Sequence, residues 1–155
     1  MRTKRATKRI IEVDAIYKSK IVSRMINILM VDGKKSTAQR SLYDALEKIS
    51  SDPKEATAVF EQAIKNVMPM QEVRSRRVGG ATYQVPMPVK HDRSEALALR
   101  WIINSVRKKS GKSLVERLYD EIKNASEGIG DAIKKKEETH KMAESNRAFA
   151  HFARY

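Results

Sequence analysis

VRSRRVGGATYQVPMPV, residues 73–89, interrupts a chain whose apolar residues otherwise recur at helical spacing. Within it Tyr83, Val85, Met87 and Val89 alternate with other residues and so share one face of an extended strand. The preceding pair Gly79-Gly80 suits a two-residue hairpin turn, whose central positions need positive φ. The change of period predicts a β-hairpin over residues 72–89. Pro86 and Pro88 have no N–H to give to a ladder, so their strand must be an edge. A lone two-stranded ribbon is marginal in water and needs something to lie against. Because this one displays Arg74, Arg76 and Arg77, RNA is its expected support.

Three helices are expected before the ribbon. From Ser19 onward Ile21, Met25, Ile28 and Leu29 share a face that Val22 and Ile26 widen, and Gly33 can supply a left-handed stop. Ser36 and Gln39 have capping-box spacing ahead of Ala38, Leu42, Tyr43, Ala45, Leu46 and Ile49. Asp52, Pro53 and Glu55 offer a cap, a first-turn proline and a box acid before Ala56, Val59, Phe60, Ala63, Val67 and Met68, and Pro69 bounds that helix. Three more follow the ribbon. Asp92 and Glu95 box a helix with Leu99, Ile102, Ile103 and Val106 on one face, Trp101 beside them, and a break at Ser110-Gly111. Ser113 and Glu116 box the next, with Val115, Leu118, Tyr119, Ile122 and Ala125 inward. The last, residues 131–151, carries only the thin stripe Ile133, Met142, Phe149 and Phe152, so it should pack weakly and meet a partner.

The expected fold is therefore mainly α: a single domain over residues 12–155, with six helices and a protruding two-stranded hairpin between the third and fourth. A basic arm over residues 1–11, carrying Arg2, Lys4, Arg5, Lys8 and Arg9 without a single acid, precedes it. The chain has 155 residues, one domain's worth, and its 41% hydrophobic content is enough for a real core. It has no cysteine, which excludes disulfides, thiolate metal sites and cysteine nucleophiles. No apolar run reaches the ~20 residues of a membrane span, and none follows the charged start as in a signal peptide, so a soluble, unsecreted protein is expected.

Charge bounds function most tightly. Lys and Arg number 32 against 19 Asp and Glu, a formal net charge of +13. Such a field attracts polyanions, and nucleic acid is the usual one for a small basic domain. The strings GKKS at 33–36 and GKS at 111–113 are not phosphate loops, since the further glycine that motif needs five residues earlier is Ile28 or Val106, inside a helix. His91, His140 and His151 lack zinc-site spacing, and Glu137 and Glu138 sit in a solvated charge run. No catalyst, metal or cofactor is expected. The competing possibility is a helix-turn-helix DNA reader built from helices four and five. Its recognition helix would carry Glu116, Asp120 and Glu121 into the major groove, while the cations Arg107, Lys108, Lys109 and Lys112 lie before it. Basic charge spread over arm, loops, ribbon and final helix suits irregular folded RNA better.

Three stretches carry a resemblance. Residues 73–89, DGKKS with LYDAL within 32–46, and KKKEETHKMAESNRAFAHF at 134–152 resemble the small-subunit ribosomal protein seven family, in a likeness spanning nearly the whole chain. It is looser in the first ten residues and in LVERLYDEIKNAS of helix five, and the short length resembles the bacterial and organellar members. The resemblance implies a non-enzymatic protein bound to the three-prime major domain of small-subunit ribosomal RNA. It also implies a part in nucleating the subunit head and a place at the exit site, near transfer RNA, messenger RNA and neighbouring proteins of the head and platform. The location would be the cytoplasmic ribosome in a bacterium, or an organelle ribosome. Carried over by motif, Arg74, Arg76 and Arg77 would face RNA. Lys34, Lys35, Lys134, Lys135, Lys136, Lys141 and Arg147 would bind ribosomal RNA, as the basic arm and Arg107 to Lys112 should by charge. Gly79, Gly80, Tyr83 and Arg154 would lie near transfer and messenger RNA.

Overall fold

The computed structural model describes residues 10–154, with side chains through Phe152. In chain order it has α1 (Lys20–Leu29), α2 (Lys35–Glu47), α3 (Pro53–Val67), β1 (Gln71–Val78), β2 (Ala81–Pro88), α4 (His91–Lys108), α5 (Leu114–Ser126), α6 (Asp131–Ser145) and a closing 3-10 helix (Arg147–Arg154). The mainly helical fold with a hairpin between the third and fourth helices is thus as expected. The last helix, however, ends at Ser145 and tightens into the 3-10 turn rather than running on to residue 151.

Burial follows the helical stripes. Leu42, Leu46, Phe60, Ile64, Leu99, Ile102, Leu118 and Ile122 are almost wholly enclosed in one apolar cluster drawn from α1 to α6, and each large side chain so enclosed contributes about 1.5–3 kcal/mol. The α1 stripe is centred on Val22, Met25, Ile26 and Leu29, one step round from the sequence expectation, and Ile21 and Ile28 only flank the core. Helix α5 runs through the middle and packs against α2, α3, α4 and α6. In α6, Ala132, Ile133 and Ala143 are buried, while Met142 is exposed, so the expected stripe breaks where the helix leaves the core.

Local signals at the helix ends are borne out in two of four places. Ser113 and Glu116 form both halves of the α5 capping box, and Asp52 accepts from the Lys54 N–H at 3.0 Å with Pro53 opening α3, although Glu55 closes no box there and instead accepts from the Ser50 hydroxyl at 2.9 Å. Ser36 and Gln39 do not cap α2: that helix starts two residues earlier, with Lys34 at its N-cap, and the Gln39 amide donates to the Tyr43 hydroxyl at 2.8 Å. Nor do Asp92 and Glu95 box α4, which begins at His91; Glu95 is buried and holds Arg24 of α1 at 2.6 Å. Gln39 thus turns to a partner one turn along its own helix, whereas Glu95 is taken by a tertiary partner. Gly33 also acts differently from expectation. Helix α1 has already stopped at Leu29, and Asp32 and Gly33, with φ of 53° and 72°, form a turn closed by Lys34 N–H to Val31 C=O at 3.0 Å.

Candidate RNA interface

The ribbon is an antiparallel pair in which Val78 faces Ala81 across the two-residue turn Gly79-Gly80, with φ of 58° and 88°. Those angles are the type I′ geometry that matches strand twist and that only glycine adopts freely at both positions. Residues directly opposite share a face, so the register sorts the arginines. Arg74 opposes Val85 and Arg76 opposes Tyr83 on the face that carries the buried Val85, whereas Arg77 opposes Thr82 on the other face, beside the Ser75–Gln84 hydrogen bond of 3.0 Å. Three arginines that look equivalent in sequence therefore point two ways.

What lies beneath the ribbon is the protein itself. Tyr83 packs on Phe149 and Phe152 of the closing 3-10 helix, with ring centroids 5.3 and 4.9 Å away, and Arg76 donates to the Phe152 carbonyl at 3.4 Å. At the base, Glu72 takes a forked pair of bonds from Arg93 of α4, both at 2.7 Å, and a third contact from Arg74 at 3.2 Å. The hydrogen bonds from Arg93 are the main reason the Glu72 carboxyl titrates below its ordinary range, and Arg93 is raised in turn. His140 of α6 accepts the Met70 N–H at 3.0 Å just before β1. Burial, then the charge of Lys136, lowers the pKa of that imidazole and favours the neutral, accepting form. The expectation that RNA must support the ribbon is corrected: the chain's own end covers its inner face.

Most of the remaining cations are exposed, and several of them also hold a partner within the chain. Lys34 and Lys35 stand exposed at the start of α2, whose first turn holds no acid, so their charge adds to the positive end of the helix. Arg77, Lys108, Lys141 and Arg147 are exposed as well. Arg107 donates to Leu29 C=O at 3.2 Å, Lys136 to Asn66 C=O at 2.7 Å, and Lys112 pairs with Asp120 at 2.7 Å. Lys134 and Lys135 pair with Asp131 and Glu138 on their own helix at 3.5 and 2.9 Å. Lys109 is the most committed, bonded at 2.5 Å to Glu121, which is fully buried and also accepts the Ala132 N–H at 2.9 Å. Arg2, Lys4, Arg5, Lys8, Arg9 and the Arg154 side chain lie outside the described residues.

Helix α5 is badly placed to read DNA. Leu118, Glu121, Ile122 and Ala125 face the core, Glu116 is occupied in its capping box, and Arg117 turns back to the Val106 and Lys109 carbonyls that end α4. Only Glu116 and Lys123 of α5 are exposed, which leaves it little surface for contacts to bases in a major groove. Among the described residues no helix is long and apolar enough to cross a membrane.

The model of one protein family, described as ribosomal protein S7p/S5e, matches residues 1–147. The chain belongs to that family. Small ribosomal subunit protein uS7 of Dehalococcoides mccartyi is 53% identical over 152 residues, 97% of either chain. The proteins of the same name from Carboxydothermus hydrogenoformans and Fervidobacterium nodosum are 54% identical over 149 residues, 94% of either chain, and 51% over 153 residues, 98% of this chain and 99% of that relative. The S7p/S5e match takes in the ribbon and α6 but stops at the first residue of the 3-10 helix that braces them. Sequence reasoning missed Glu72, Arg93 and His140 as the ribbon's anchors. Glu72 and Arg93 are 21 residues apart and Met70 and His140 are 70 apart, and neither separation has a local signature.

Proposed function

We propose that this chain is a structural constituent of the small ribosomal subunit that binds the three-prime major domain of small-subunit ribosomal RNA. It helps nucleate the subunit head and lies at the exit site, near transfer RNA, messenger RNA and neighbouring head and platform proteins. The observation that carries this reading is the family match over residues 1–147. A net charge of +13 and exposed cations on the α2 loop, ribbon, α4 and α6 supply the attraction that RNA phosphates need. The division of labour follows from side-chain chemistry. Arginine on the stiff ribbon can fork onto a phosphate or stack on an unpaired base, and so positions RNA. Lysines at 34, 35 and 141 act as mobile point charges and supply affinity. The tip glycines Gly79 and Gly80 let backbone approach a phosphate where a side chain would intervene.

Residues 12–155 would work as one domain and 1–11 as an arm along the RNA, in a cytoplasmic or an organellar ribosome. No catalytic step, metal or cofactor enters. Chemical footprinting on intact small-subunit ribosomal RNA tests the proposal. Protection should fall within the three-prime major domain and persist under duplex DNA competitor. Protection scattered over all domains, or lost to duplex DNA, would refute it.

A further inference from the structure

Between α4 and α6 runs a groove of about 610 Å³, within the 300–1,000 Å³ of small-ligand sites. One wall is Trp101, Asn104, Ser105 and Lys108 of α4. The other is Asp131, Lys134, Lys135 and Glu138 of α6. Both walls follow the spacing i, i+3, i+4, i+7, so each is a single helix face about 10 Å long at 1.5 Å per residue.

Its chemistry is selective. Trp101 is the only tryptophan of the chain; it packs partly against the core and partly lines the groove, giving it a flat apolar surface. Asn104 is exposed three residues further on, with an amide that both donates and accepts, as the edge of a nucleobase requires. Arg107, Lys108, Lys134 and Lys135 bring four cations against the two carboxylates Asp131 and Glu138, and each carboxylate already holds one of those lysines. An aromatic wall, an amide and surplus positive charge together fit a nucleotide better than an acidic peptide, because only a nucleotide joins a flat stacking base, a hydrogen-bonding edge and a phosphate within one unit. They fit an unpaired nucleotide better than a duplex, whose stacked bases cannot reach a side chain in a short groove.

We propose that this groove is a single-strand site. It holds one or two unpaired RNA nucleotides, with a base against Trp101, its edge on Asn104 and the phosphates on Lys108 and Lys134. The site rests on the ribosomal RNA function proposed above and adds a base-recognising pocket to it.

A lone tryptophan makes the test direct. The full chain is titrated with a single-stranded adenylate hexamer, a duplex RNA of equal charge and polyglutamate, following Trp101 emission, while a gel shift follows ribosomal RNA in parallel. The hexamer should quench the emission, and the duplex and polyglutamate should leave it nearly unchanged. For the variants that lack the tryptophan, binding is read from the anisotropy of a fluorescently labelled hexamer: Trp101→Leu should weaken it about five- to hundredfold, as expected for loss of one base–aromatic stack. Trp101→Phe should restore most of it, and Asn104→Ala, at an exposed position that cannot unfold the core, should flatten the preference among homopolymers. Normal ribosomal RNA shifts with unmoved emission and unaltered Asn104→Ala preferences would overturn the groove and leave the RNA function standing. Quenching by polyglutamate equal to that by the hexamer would overturn it in favour of an acidic protein partner. Failure of ribosomal RNA to shift at all would refute the underlying function instead.

Discussion

Replacing the ribbon arginines one at a time should separate binding from stability, because the register puts them on different faces. Arg77 is exposed on the outer face, opposite Thr82, so Arg77→Ala should change stability by no more than about 0.5 kcal/mol, the usual range for such a surface site. Leu46, fully buried, is the contrasting core truncation. Leu46→Ala should cost about 2–5 kcal/mol, which lowers Tm by roughly 4–20 °C in a chain of this length. Arg76 lies between the two, since it reaches the Phe152 carbonyl beneath Tyr83. Its loss should cost more than that of Arg77 and less than the core truncation, about 1 kcal/mol or somewhat above, since a hydrogen bond from a charged donor goes with it. In RNA binding the order reverses. Arg77→Ala should reduce the slope of log affinity against log salt by about 0.7–0.9, one phosphate contact, while Leu46→Ala leaves that slope unchanged once the protein is folded. The assay pairs calorimetric melting with filter binding to ribosomal RNA at four salt concentrations. An early melt for Arg77→Ala with an unaltered salt slope would mean that the outer face is structural, and the assignment of that arginine to RNA would be wrong.

Lys109→Met strands the buried Glu121 carboxylate with a backbone donor alone, so it should destabilise by about 3 kcal/mol, while adding Glu121→Gln should recover much of the loss; equal losses in the single and double mutants by urea titration would count against a coupled pair. Acidification should loosen the ribbon in two stages: His140 lies below its ordinary 6.5, so its bond to Met70 is intact above that value and fades as pH falls through the lowered one, and Glu72, below its ordinary 4.5, follows at lower pH. Amide exchange of Met70 and the β1 residues, corrected for intrinsic rates, should quicken in that order as the pH is lowered, and constant protection from pH 7.5 down to about 2 would contradict it. In competition, folded ribosomal RNA should displace duplex DNA of any sequence; one duplex sequence winning a hundredfold would restore the helix-turn-helix alternative.

The elements were legible because their signals are short-range. A change of apolar period at Gly79-Gly80, a proline after an aspartate at 52–53 and a serine three residues before Glu116 each act within one or two turns of chain, and the structure keeps all three. The same reasoning misplaced the caps of α2 and α4. There Gln39 turns to Tyr43, one turn along its own helix, and Glu95 is drawn away by Arg24, 71 residues distant. The charge excess and its spread along the chain were equally plain in the sequence, and they pointed to a polyanion before any geometry was known.

Which cations remain open to such a partner was a tertiary question. Lys108 and Lys109 are adjacent and chemically identical, yet one is exposed beside Trp101 while the other is bound to a buried carboxylate of α5. Arg76 and Arg77 are neighbours on one strand, and a period of two sends one to the chain's own C-terminal segment and the other to solvent. Periodicity and composition determined that this would be a basic helical protein with a ribbon. Only the packing of segments 21 to 76 residues apart decided what supports the ribbon, because a charge or a ring finds its partner through space and that distance is unrelated to its separation along the chain.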